Sequence, residues 1–189
     1  MISAKQHIED SFSRIEYLVT KCESTLVPLN DAQFNWKKDD KTWSIAQNLH
    51  HIILVNSSYI DECRNVFHQN ETITTKNLSP YRTDYNGNMM FHFVDPRNTL
   101  KSKTIAEFIP SNDTFKNSFK MEFCKNLKKL QSFLEEVSGY DFNETKIQTP
   151  NNKFINVNLG DMIKIIIDHT ERHYNQILAT VNSVGFPKS

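Results

Sequence analysis

Two histidines, His169 and His173, stand four residues apart in the segment His169-Thr170-Glu171-Arg172-His173. On a helix this spacing stacks them one turn apart on one face. Imidazole nitrogen is a common ligand for zinc and other transition metals, so the pair could supply half of a tetrahedral site. Far upstream, Trp43-Ser44-Ile45-Ala46-Gln47-Asn48-Leu49-His50-His51 offers a third ring. Three histidines from two helices would leave one metal position open to water or substrate, which is the pattern of a catalytic site and not of a closed structural one.

The helices that must carry these residues can be read from periodicity. Helix four is expected from about Leu159 to Ser183, with Leu159, Met162, Ile163, Ile166, Ile177 and Val181 inward and Gly185 and Pro187 ending it. His169 and His173 fall on that inward half, with Gln176 and Thr180 on the same side. Gln176 could orient a ligand ring or a bound water. Two buried histidines held by hydrogen bonds fit the same spacing. Helix two should start at Ser44, where Ser44 and Gln47 form a capping box, and end near Phe67 before the polar stretch His68 to Asn77. Its inner face reads Ile45, Leu49, Ile52, Asn56, Ile60 and Cys63. His50 and His51 lie about equally far from the centre of that face on opposite sides, and periodicity does not choose between them. His7, His68 and His92 are lone residues suited to surface or core roles.

Two further helices complete the set. Helix one, Ala4 to Leu26, has an apolar seam of Ile8, Phe12, Ile15, Val19, Cys22 and Leu26. Helix three follows the start signal Pro110-Ser111-Asn112-Asp113, with Phe115, Phe119, Phe123, Leu127, Leu130, Leu134 and Val137 inward and Gly139 as its stop. The 69–110 connection is long enough to be a crossover, which would let helices two and three run parallel. It holds Tyr81, Tyr85 and the apolar run Met89 to Val94, expected to cap one end of the bundle or to add a short strand. Tyr81, Tyr85 or His92 could reach the site from there. The expected fold is all-α, a four-helix bundle forming a single domain over 1–189.

Composition agrees. Only four glycines and six prolines leave little turn chemistry for a sheet-rich fold, and thirteen phenylalanines supply core volume. With 22 acidic and 22 basic side chains the net charge is zero and no basic stripe is present, so no nucleic-acid partner is expected. Lys125 to Lys129 read as a solvated helix face. Cys22, Cys63 and Cys124 are odd in number and have no metal or redox spacing, and Cys22 reads as a small buried hydrophobe. A cytoplasmic, reduced setting follows, with no signal peptide and no membrane segment expected.

Other chemistries lack their residues. The zincin motif needs Glu where Thr170 stands, and its inverted form needs Glu in place of Arg172. Glu171 is two residues from each histidine and should face away from a shared metal. No phosphate-binding glycine loop, nucleophile elbow or paired Glu-x-x-His is found.

The Trp43-Ser44-Ile45-Ala46-Gln47 segment followed by His51 resembles the opening signature of the DinB/YfiT-like superfamily. His169-x-x-x-His173 with Tyr174-Asn175-Gln176-Ile177 resembles its closing signature, and Asn35-Trp36 and the stretch Lys103 to Pro110 are similar too. The resemblance covers most of the chain. It implies an up-down-down-up bundle, a homodimer, and a divalent metal, nickel or zinc, held by His51, His169 and His173, with His50 a neighbour. It also implies a small-molecule substrate and a thiol-dependent S-transferase using bacillithiol, mycothiol or glutathione. A metal-dependent hydrolase, or a non-catalytic bundle that binds a ligand or partner, are the alternatives.

Overall fold

The computed structural model describes residues 2–69, 80–100 and 103–188. Most of the polar stretch after helix two, and parts of the crossover, lie outside them. The chain is mostly helical: α1 (Ala4–Leu26), α2 (Asp31–Asn35), α3 (Ile45–Gln69), α4 (Tyr85–Val94), α5 (Lys120–Val137) and α6 (Leu159–Val181), with a hairpin of β1 (Lys146–Thr149) and β2 (Asn152–Asn158) before α6. No helix among the described residues is long and apolar enough to cross a membrane.

The long helices start where local chemistry satisfies their free backbone donors. The Ser3 and Asn158 side chains accept from Gln6 and Asp161 at the heads of α1 and α6. Before α3 the expected capping box is present: Ser44 Oγ accepts from the Gln47 amide at 3.1 Å, and Gln47 Oε1 accepts from the Ser44 amide at 3.2 Å. The foot of α1 is closed from another helix. The nearly buried Lys120 donates from Nζ to the carbonyls of Leu26, Val27 and Leu29.

The four long helices enclose one apolar cluster that includes Ile15, Leu49, Phe123, Phe133 and Ile166. Cross-helix contacts give their neighbours. Cys22 meets Cys124, and Asn56 takes a hydrogen bond from Thr170 and gives one to Asn126. Arg64 pairs with Glu136, and His7 lies on the Gly160 carbonyl. The lysines at 125, 128 and 129 are exposed, as expected.

Several expectations need correction. The buried side of α1 is Ala4, His7, Ser11, Ile15, Leu18, Cys22 and Leu26, while Ile8, Phe12 and Val19 flank it half-buried. The helix is rotated so that its polar His7 and Ser11 turn towards the core. Helix three begins at Lys120, not at Phe115. Asn35 takes up both backbone groups of Phe115, at 2.8 and 2.7 Å, and Asp31 accepts from the Asn117 amide. Those groups are no longer free for a helix ladder, and only a short 3-10 turn precedes α5. Gly139 follows the end of α5 without adopting a left-handed conformation, which among the described residues is confined to Gly185 after α6. The run Met89 to Val94 is helical and forms most of α4, which the Asp84 carboxylate caps and which packs on α6 and the hairpin.

The hairpin is also new. Ile147 pairs with Val157 and Gln148 with Asn156, and the register shifts between Gln148 and Thr149. Ile147 and Val157 point into the core, while Phe154 is almost fully exposed.

Candidate metal centre

His51 lies in the second turn of α3, and His169 and His173 lie mid-way along α6. The two helices face each other, and one ring nitrogen from each histidine lies within 4.8 Å of the other two. His51 Nε2 and His169 Nε2 are 3.2 Å apart. Nitrogens bound about 2.0–2.1 Å from a tetrahedral ion are about 3.4 Å apart, so this separation suits a shared cation. The cluster could therefore hold a metal ion.

The outer nitrogens reinforce that fit. His51 Nδ1 is 2.7 Å from the Phe108 carbonyl oxygen and His173 Nδ1 is 3.3 Å from Asn48 Oδ1. Carbonyl oxygens only accept, so both Nδ1 atoms carry the proton and both Nε2 atoms present a lone pair inward. His169 has no such partner among the described residues, and its Nδ1 is buried and unpaired. Trp43 lies against the cluster, its ring centroid 4.9 Å from that of His51 and 6.1 Å from that of His173.

Burial holds all three imidazoles below their ordinary pKa, well below for His169 and His173. The Arg172 guanidinium adds to the effect on each. The rings are thus neutral near pH 7, the form that binds metal.

The cluster opens on a cavity of about 630 Å³. Its apolar wall includes Met90 and Val94 from α4, Phe108, and Ile165 and Ile166 from α6. Gln176 and Thr180 line it, as their position on the helix suggested. Tyr59 is also on the wall, its hydroxyl 3.2 Å from Asn151 Oδ1. Burial raises the Tyr59 pKa, so the phenol stays protonated near neutral pH.

His50 does not join the cluster. Its Nδ1 accepts from the Ser111 amide at 3.1 Å and its ring meets Phe115 and Phe119 edge-on. Glu171 turns away from the site to Arg14. Of the three crossover residues expected to reach the site, Tyr81, Tyr85 and His92, none lines the cavity. Tyr85 and His92 are exposed, and Tyr81 bonds to Asp161. His68 is exposed and His7 buried.

The sequence reading missed Asn48, Phe108 and Arg172 as members of the site. Asn48 carried a signal, because it lies three residues before His51 on the same helix face. Phe108 contributes a backbone carbonyl, for which side-chain identity gives no signal.

No curated protein and no solved structure matches the chain. A family model described as the DinB superfamily matches residues 16–177, a span that holds all three clustered histidines. The chain belongs to the DinB superfamily.

Proposed function

We propose that this protein is a metal-dependent enzyme whose divalent ion, nickel or zinc, is held by His51, His169 and His173, and that it transfers a low-molecular-weight thiol to an electrophilic small molecule. The observation that carries the reading is the convergence of three neutral imidazoles at the wall of a cavity large enough for a small substrate. The cation would supply the positive charge that favours the anionic form of a thiol at neutral pH.

The chain's own residues have separable roles in this reading. The three histidines hold the ion. Asn48 and the Phe108 carbonyl fix the tautomer and direction of two of the rings. Met90, Val94 and Phe108 exclude water from one side of the site. Among the described residues the wall includes no aspartate or glutamate, and its tyrosine stays protonated. That absence of a carboxylate base supports transfer of an already ionised nucleophile over hydrolysis, which would call for a group to take a proton from water.

The bundle course belongs to the same proposal. Contacts between α1 and α6 rise together in sequence, from His7–Gly160 to Arg14–Glu171, as do those between α3 and α5, from Asn56–Asn126 to Arg64–Glu136. Contacts of α1 with α5 run in opposite directions, from Cys22–Cys124 to Leu26–Lys120, as do those of α3 with α6, from Asn48–His173 to His51–His169. This pattern supports an up-down-down-up course.

Protein purified without an affinity tag should hold about one divalent ion per chain, and the His169→Ala/His173→Ala variant should hold none. Equal metal content in the two removes the proposal. Loaded protein should then consume thiol in the presence of a reactive electrophile faster than the stripped protein does. A hydrolytic rate without thiol consumption would replace the transferase reading.

A further inference from the structure

The wall of the cavity is electrostatically one-sided. Among the described residues it carries Lys38, Lys41, Lys103 and Arg172 and no acidic side chain, although the chain has as many acidic as basic residues. Arg172 is the most informative of the four. It is 6% exposed, and its Nε and Nη2 donate to the backbone carbonyls of Asn98 at 3.2 Å and Leu100 at 2.6 Å. Both acceptors are neutral. Among the described residues no carboxylate pairs with this guanidinium, and its Nη1 has no partner. The acidic residues nearest to it on α6, Asp168 and Glu171, are held on the outer side of the helix by Arg14. A buried cation without a counter-ion is costly, and a bound anion removes that cost.

We propose that this cavity takes a small amphipathic anion, whose carboxylate or phosphate oxygens meet Arg172 and the lysines at the mouth while its apolar part lies on Met90, Val94 and Phe108. The inference rests on the preceding reading in one respect only, that the cavity beside the histidines is where substrate binds. Three neutral histidines bring no negative charge, so a divalent ion would make the site more positive still. The arginine and the lysines act whether or not the ion is present. Anion selectivity from these residues is therefore separable from metal binding. The lysines are exposed and flexible, so they add long-range attraction that salt screens, whereas Arg172 acts at short range in a drier setting.

The test is calorimetric titration of protein stripped of metal by a chelator, with three probes of equal chain length: octanoate, octyl phosphate and octan-1-ol. Either anion or both should bind at least about tenfold more tightly than the alcohol, the range expected for a charge-assisted hydrogen bond. The anion that binds more tightly identifies which head group the site prefers. Lys41→Gln/Lys103→Gln, two exposed positions whose replacement leaves the core untouched, should weaken anion binding and its salt dependence without changing alcohol binding. Arg172→Met should remove most of the preference. Alcohol binding as tight as that of the anions, or unchanged anion affinity in the double lysine variant, overturns the proposal. So does a preference that appears only after zinc is added, since the ion would then be its source. Anion preference in a protein that never retains metal would leave this inference standing and remove the metal-dependent reading.

Discussion

Gly87→Ala should unlock the crossover from the head of α6. Gly87 is in the first turn of α4, and a Cβ built there would lie 2.1 Å from Asp161 Oδ2 and 2.3 Å from Asp161 Cγ. The carboxylate has little freedom to move. Its Oδ1 accepts from the Tyr81 hydroxyl at 2.5 Å and its Oδ2 from the Asp84 amide at 2.9 Å. Asp84 in turn caps α4 by accepting from the Gly87 amide at 2.7 Å. Making room for a methyl group therefore breaks one or two hydrogen bonds to a buried charged group, at about 1.5–3 kcal/mol each. Alanine recovers up to about 1 kcal/mol in helix propensity. The net loss is roughly 0.5–2 kcal/mol if one bond breaks and up to about 6 kcal/mol if both do, a fall of at least about 1–8 °C in melting temperature for a chain of this size. Urea unfolding followed by circular dichroism measures it directly. Gly139→Ala is the control, since a Cβ there meets nothing within 4 Å and the backbone is not left-handed. It should be neutral or stabilising by up to about 1 kcal/mol. The decisive background is Asp161→Ala, in which Oδ2 and Cγ are gone and only the Cβ at 2.8 Å remains, so Gly87→Ala should cost clearly less there. An equal cost in both backgrounds would refute the reasoning, because the loss would then not come from the carboxylate.

Two other outcomes follow from the same geometry. Asn48→Leu removes the acceptor on His173 Nδ1 and should weaken zinc binding by about 10–100-fold in a chelator competition; unchanged affinity would show that Asn48 does not set the ring. For Asp161, burial dominates and lifts its pKa from 3.8 to about 6, against the hydrogen bonds from Tyr81 and Asp84. A carboxyl whose folded value lies above its unfolded value favours the folded state most at low pH, and that contribution is lost as pH rises from about 4 through about 6. The full effect is on the order of 3 kcal/mol, so Asp161→Asn should flatten the dependence of unfolding free energy on pH between 4.5 and 7. The same slope in both proteins would remove Asp161 as its source.

The parts of this fold that were legible in the sequence are those written in local periodicity. The spans of α1, α3 and α6, the Ser44 capping box and the common face of His169 and His173 all depend on residues within a turn or two of one another. The choice of His51 over His50 needed family resemblance, because each lies equally far from the centre of the apolar face. What decides it physically is the segment around Phe108 to Phe119, which offers His51 a carbonyl and His50 a backbone amide. The head of α5 was misplaced for a similar reason. The Phe115, Phe119, Phe123 spacing is helical, but Asn35 and Asp31, some eighty residues upstream, bind the backbone that the helix would use. The hairpin did leave a trace, in the alternation of Ile155 and Val157 and in the Thr149-Pro150-Asn151-Asn152 turn chemistry.

The side of α6 opposite the histidines explains how this helix brings no carboxylate to the cavity. Asp168 and Glu171 are immediate sequence neighbours of His169 and Arg172. One residue of helical rotation, about 100°, would bring an acidic side chain to the place of a histidine. Arg14 opposes that rotation from α1, donating to Asp168 Oδ1 at 2.6 Å and to both oxygens of Glu171 at 2.6–2.7 Å, while Lys164 takes the other Asp168 oxygen. A fork that binds two carboxylates one turn apart fits only one angular setting of the helix. The same setting turns His169, Arg172 and His173 towards the cavity. The outer ion network and the inner cationic site are thus two faces of one constraint, in which α1 fixes the rotation of α6 and that rotation keeps Asp168 and Glu171 away from the histidines.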